Sequence, residues 1–499
     1  MNDMYRGGIQ DDKFALLYNV NTYIKVAVKT PVGKTQRGVI TNAIIQGDVF
    51  GPMLCGKQID EIGQECLQED KYVYKYKGEV DIPPLAMLDD LITISECGHK
   101  TAMVNSYVRC KTLSKKLQFG PTKCKKMHVG KYKEEFKCQP LFVDNWKETE
   151  DCDTENIKVK DTCDGDEVME EKNSERYLGD VISKDGKNIK NIQARVNKGT
   201  GIVRNILTML DGIPFGKYHF EAGVILRNTL LASSMLFNSE VWYNVTNSEL
   251  ELLETVDLLL LRGILKAPKS TPKEMLFLEL GVVPFREMIR RRRLGFLHYI
   301  LTEDKNSMIF KFFESQRKNR SSKDWVTTVL EDMKKLNLNL SFEEIGSMKK
   351  YMFLRIIKRK TEHEAMKYLE KLKEKHSKVK LLKHPVLKMQ KYLMPNDINM
   401  KNEDGQNIFR LRSKMTAVKM NQRNRYENHE CEVCGIFDES QEHVLNCKEI
   451  LEMNEESDIS EIPEYSRIFN GTVMEQVKIS KIFSKNMKVI ENIRRNNNK

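Results

Sequence analysis

The apolar and polar positions of this chain change their period once, near residue 188. Before it, short alternating or apolar runs broken by Gly and Pro predict strands. Tyr23 to Lys29 alternates, Pro31-Val-Gly33 turns and Gly38 to Thr41 returns, which predicts a hairpin. Further strands are predicted at Tyr72 to Tyr76 and within Val80 to Ser95. In the second of these, Asp89 and Asp90 stand between the apolar runs Leu85–Leu88 and Leu91–Ile94, the pattern of a buried hairpin with two carboxylates at its joint. A glycine loop around Gly47 and Gly51 leads into a helix carrying Leu54, Ile59 and Ile62, and another helix runs from Gly98 to near Gln118. A strand begins at Lys123, residues 146–173 read as a solvated excursion, and Arg176 to Ser183 reads as one strand left by the turn Lys184-Asp-Gly186.

Beyond residue 188 the period is helical. Helices are predicted at 189–210, 216–241, 247–264, 272–279 and 285–302, then as charged helices over 303–395, and last from Val473 to Ile493. The expected fold class is therefore α+β. A sheet with packed helices occupies 1–187, a helical region 188–302 and a basic helical region 303–424. A small cysteine-bearing module follows over 425–470, with a C-terminal helix and tail over 471–499.

Charge adds a partner to this picture. Among 499 residues, 82 Lys and Arg face 71 Asp and Glu, a net charge of +11. A basic excess of this kind points to a polyanion. Two stretches concentrate it. Arg290 to Arg293 are consecutive and cover most of a helical turn, so they cannot all face one partner; they read as a solvated helix with one or two phosphate contacts. Residues 349–391 carry fifteen Lys or Arg against four Glu, an excess as large as the net charge of the whole chain. That stretch is the candidate polyanion-binding surface. No apolar run approaches the roughly 20 residues that cross a bilayer, and the N-terminus has no signal-peptide pattern. The expected compartment is cytoplasm or nucleus, without a membrane partner, where the eleven cysteines stay reduced.

Eight of those cysteines are scattered from Cys55 to Cys163. The other three stand with a histidine in the order Cys431-x2-Cys434, His443, Cys447. Two thiols two residues apart, a loop and a His–Cys pair make the spacing of a tetrahedral Zn²⁺ site. Protein fills all four places, so the expected role of the metal is structural; His429 is an alternative donor. The neighbouring acids Asp89 and Asp90 suggest a different metal. Buried carboxylates are costly unless they are paired or hold a cation, and Mg²⁺ binds through one or two carboxylates together with substrate phosphates.

Four motifs in order carry a family resemblance: Gln46-Gly-Asp-x-x-x-Pro52, Met87-Leu-Asp-Asp90, Gly120-Pro-Thr-Lys-Cys124 and Tyr177-Leu-Gly-Asp-x-x-Ser-x-Asp-Gly186. Together they resemble the reverse transcriptases of non-LTR retrotransposons, and the Cys/His module resembles the zinc knuckle that often follows such polymerases. The resemblance implies an RNA-directed DNA polymerase lineage working on RNA and DNA as template and primer, with Mg²⁺ as cofactor. Asp89, with Asp90 beside it, would be the metal-binding acid of a palm hairpin. Gln46 and Gly47 would line the incoming nucleotide and template, and Lys123 would stand near the leaving pyrophosphate. Tyr177 to Gly179 would support the primer, and the helices after 188 would form a thumb.

The chain also departs from the family pattern. Met87 replaces an aromatic, and Gly51 replaces the Ser before Pro52. The family's first catalytic strand, with its bridging Asp, has no counterpart between Met1 and Tyr18, so primer extension by the chain as written is expected to be weak or absent. The alternative expectation is a non-catalytic RNA- or DNA-binding remnant that uses the basic helices and the Cys/His module.

Overall fold

In a computed structural model of the chain, the described residues are 24–27, 29–40, 51–87, 90–114, 123–129, 170–214, 217–376, 386–394, 402–454 and 463–497, with the isolated positions 12, 15 and 382. They mix helices with short strands, an α+β composition. The chain divides into two compact units, Met1–Lys187 with Asp304–Asn319, and Asn188–Glu303 with Arg320–Lys499.

In the first unit, strands of two to four residues pair as six separate two-stranded pieces. Among the described residues these pieces are not joined into one continuous sheet. The predicted hairpin at 23–41 forms, with Ile24 opposite Ile40. So does the hairpin of the paired acids, with Leu85–Met87 antiparallel to Asp90–Ile92 and Met87 opposite Asp90. Its burial falls short of the expectation. Met87 is 58% exposed, and Leu85, Leu91 and Ile92 are only half-buried. A two-stranded ribbon covers little of its own surface, and an apolar run cannot say what will cover the rest.

The expected strand 176–183 is instead a hairpin. Ser174–Tyr177 pairs with Asp180–Ser183, and Tyr177 stands opposite Asp180. Leu178 and Gly179 connect them at φ 46° and 88°. A type I′ two-residue hairpin loop needs positive φ at both positions, which Gly179 adopts freely and Leu178 adopts at a cost. The leucine conceals a turn that Asn or Asp at that position would announce.

A small core seats the helices Gly51–Cys66 and Gly98–Ser114. Ile62, Cys66, Tyr72, Val104 and Val108 form it, with Tyr72 and Tyr107 stacked at 4.0 Å between ring centroids. A distant segment completes this unit. The helix Met308–Lys318 brings Phe312 onto Tyr76 at 4.3 Å, and the Lys77 ammonium donates to the Asn319 carbonyl at 2.7 Å.

The second unit is helical, and much of it packs around a core that runs in sequence from Ile192 to Ile490. Observed helices Ile189–Asp211, Asn247–Leu265, Lys273–Leu280 and Phe285–Thr302 follow the predicted periods closely. Local chemistry sets some of their starts. Thr246 and Glu249 close a capping box, as do Ser341 and Glu344. The predicted helix 216–241 is broken into Lys217–Leu226, a π turn Arg227–Leu231, Ala232–Met235 and a 3₁₀ turn Ser239–Val241. The wide turn coincides with Arg227, which is 1% exposed and donates through two nitrogens to Asp257 and through Nη2 to the Val283 carbonyl at 2.9 Å. Apolar periodicity does not register a buried arginine that needs such partners.

Candidate metal centre and basic surface

The three cysteines and His443 converge. Cys431 and Cys434 lie on a tight turn in which the Cys431 N–H donates to Phe437 at 2.8 Å and the Gly435 N–H donates to Cys431 at 2.9 Å. Gly435 has φ +64°, the left-handed backbone that glycine adopts without strain. His443 sits in the first turn of the helix Gln441–Asn446, whose cap Ser440 accepts the His443 N–H at 3.0 Å. Cys447 ends that helix and opens the next, Lys448–Met453. The sequence spacing thus becomes a turn facing a helix end.

The four donor atoms all lie within 4.8 Å of one another, and Cys434 Sγ is 3.3 Å from His443 Nε2. A tetrahedral ion with bonds of about 2.3 Å to sulfur and about 2.0 Å to nitrogen holds its ligands roughly 3.5–3.8 Å apart. The group can therefore hold a metal ion. Burial raises the Cys431 and Cys447 thiols, yet backbone N–H groups of Val433, Cys434 and Ile450 point at their sulfurs. At Cys434, burial is outweighed by N–H groups from Ile436 and Phe437, and the thiol is lowered. Such donors favour thiolate, the form that binds metal. His443 is lowered by burial, which leaves a neutral imidazole. His429 is not part of the group.

The module is embedded in the helical core. Cys431 and Cys447 are each 2% exposed, and Val444, Leu445, Ile450 and Leu451 belong to the same core as the C-terminal helix Val473–Asn497. Asn486 on that helix donates to the Val444 carbonyl at 2.8 Å. Arg494 pairs with Glu439, which is fully buried and also accepts the Lys419 N–H at 3.0 Å. No motif singles out Glu439, Asn486 or Arg494, because their partners lie 20 to 55 residues away.

The acidic hairpin is described in part. Asp90 opens its strand and is exposed, and Tyr177 stands near enough to feel its charge. Burial raises the Tyr177 phenol, and the charge of Asp90 raises it further. Lys123 is exposed, ahead of the strand Lys125–Lys126, and no hydrogen bond or ion pair joins it to Asp90 among the described residues. Asp89, Gln46 and Gly47 lie outside the described residues.

The two basic stretches part company. Arg290 pairs with Glu287 and Asp332, and Arg291 donates to Thr361 Oγ1 at 2.9 Å. Arg292 donates to the Leu236 carbonyl, while Arg293 pairs with Asp332 and donates to the Trp242 carbonyl at 3.0 Å. All four bind inside the unit, which corrects the solvated helix expected from sequence. Four side chains pointing four ways found four sets of internal partners.

Within 349–391, the helix Lys350–Glu374 holds most of the described charge. Lys373 is buried with its ammonium on the Leu382 carbonyl at 2.6 Å, and Lys360 donates to the Asn337 carbonyl at 3.0 Å. Other cations there face outward, among them Arg355, Lys358 and Arg359.

No family model matches this chain, and no curated protein and no solved structure matches it either. Among the described residues, no helix is long and apolar enough to cross a membrane.

Proposed function

We propose that this chain is a reverse transcriptase of the non-LTR retroelement type, whose helical half holds nucleic acid and whose acidic hairpin serves RNA-templated DNA synthesis. The hairpin that pairs Leu85–Met87 with Asp90–Ile92 carries this reading, because the resemblance expects the motif of the paired acids on such a hairpin. Asp89 and Asp90 would hold a divalent cation, which supplies positive charge against the phosphates of the incoming nucleotide. Asp90 offers it an exposed hard oxygen donor. Lys123 would donate a proton toward pyrophosphate. Cys431, Cys434, His443 and Cys447 would hold a structural zinc that ties a turn to two helices.

The test is extension of a DNA primer on an RNA template with Mg²⁺ and the four deoxynucleotides. Low incorporation is expected, abolished by Asp89→Ala and by Asp90→Ala. Incorporation that survives both substitutions would refute the hairpin as the catalytic site. A second reading, a non-catalytic RNA- or DNA-binding protein, is favoured by the outward cations of the helix Lys350–Glu374, which require no carboxylate. It predicts tight template–primer binding, steeply weakened by salt, with no incorporation at all.

A further inference from the structure

The helix Lys350–Glu374 buries every fourth residue from Phe353 to Lys373. Two residues along from each buried position lies the opposite side, because two steps of about 100° turn the chain by about 200°. Those opposite positions read Tyr351, Arg355, Arg359, His363, then Lys at 367, 371 and 375, and all are exposed. The row contains no acid. Four residues overshoot a helical turn by about 40°, so the row winds around the helix and its ends look in different directions.

Its first half therefore makes the coherent patch. Tyr351, Arg355, Lys358 and Arg359 fall within about 100° of the circumference over little more than two turns. Tyr351 is 68% exposed. Arg355, Lys358 and Arg359 enter no ion pair among the described residues. Glu362, on the same side, reaches inward to Arg291 at 3.8 Å. The helix beneath is held by its buried stripe and by Arg291 donating to Thr361, so the patch stands on a fixed support.

We propose that this patch binds a single strand of nucleic acid, with phosphates on Arg355, Lys358 and Arg359 and one base stacked on Tyr351. It rests on the reading of the chain as a nucleic-acid-binding protein and names where and how one strand is held. Three free cations, Arg355 about one turn from the adjacent Lys358 and Arg359, complement consecutive phosphates. The exposed ring decides between one strand and two. In a duplex the base faces are stacked inside, while a single strand presents them to aromatic side chains. An acidic peptide would satisfy the cations and leave the ring without a planar partner.

The experiment uses the full chain and three fluorescent probes: a single-stranded RNA 12-mer of mixed sequence, the same sequence as a duplex, and polyglutamate. Anisotropy is measured from 50 to 300 mM salt. For the single strand, Arg355→Ala/Lys358→Ala/Arg359→Ala is expected to weaken binding by more than 10-fold. It should also reduce the slope of log affinity against log salt by about 2, at roughly 0.7 per phosphate. Tyr351→Ala is expected to weaken binding about 10-fold with the slope unchanged, and Tyr351→Phe to restore it. Circular dichroism checks that each variant keeps its helix content. A steep salt slope in the unaltered chain that the triple variant leaves intact would overturn the patch and spare the nucleic-acid reading. Absence of any binding at 50 mM salt would overturn both. Preference for the duplex, or equal binding of polyglutamate, would overturn the single-strand assignment.

Discussion

Arg290 to Arg293 and the helix Lys350–Glu374 look alike in sequence and differ in the fold. Both are dense in cations and both lie on helices of the same unit. The first turns its guanidinium groups inward onto Glu287, Asp332, Thr361 and backbone carbonyls. The second buries a mainly apolar stripe and presents cations on the opposite side. Density of charge is thus a poor guide to a binding surface. What separates the two is whether acids and carbonyls elsewhere in the chain arrive opposite the cations. Arg forks suit that inward role, because one planar group satisfies several acceptors at fixed angles.

Both helices belong to a unit whose core includes Cys431 and Cys447, so removal of a metal held by the Cys/His group is expected to disturb them most. Stripping with a strong chelator, or Cys447→Ser, should destabilise the helical unit by several kcal/mol, on the order of 5 or more. Urea denaturation with metal analysis of the purified chain reads this. An unchanged midpoint would mean that the group braces nothing.

Arg293→Ala comes next. It leaves the Trp242 carbonyl without its buried donor and Asp332 with Arg290 as its remaining cation. The expected loss is about 2–3 kcal/mol in equilibrium unfolding, since Asp332 keeps one buried cation. Wild-type stability with weakened nucleic-acid binding would invert the comparison. Arg291→Ala should cost less, about 1–2 kcal/mol, since its hydrogen bonds go to a neutral hydroxyl and its guanidinium is half-buried. The slightest change in stability belongs to Arg355→Ala and Arg359→Ala, each within about 0.5 kcal/mol of the parent. Their effect should appear in salt-dependent binding instead. A large stability loss at either position would show that the outer side of this helix is not free.

Much of the helical half is legible without a structure. The ends of Asn247–Leu265 and Phe285–Thr302 are readable to within a residue, because apolar spacing and a capping Thr are local signals. The Cys/His set is readable for the same reason: a short loop must bring its two ends together. The hairpin 174–183 reads as a single strand because a leucine takes a left-handed turn position. The break at Arg227 leaves no local signal because its cause, Asp257, lies thirty residues away. Of the acidic hairpin, the pairing of the two apolar runs is readable; the register, which puts Asp90 in a strand opposite Met87, and the exposure are not.

Sequence alone determined where most helices would form and which four side chains would converge into a group that can hold a metal, since these depend on neighbours close along the chain. Tertiary structure decided that Met308–Lys318 joins the first unit, that Arg494 clamps Glu439, and that one cationic run faces in while the other faces out. Those outcomes depend on which distant acids, carbonyls and apolar faces are brought opposite a residue when the core closes. Periodicity along a chain carries no record of that meeting.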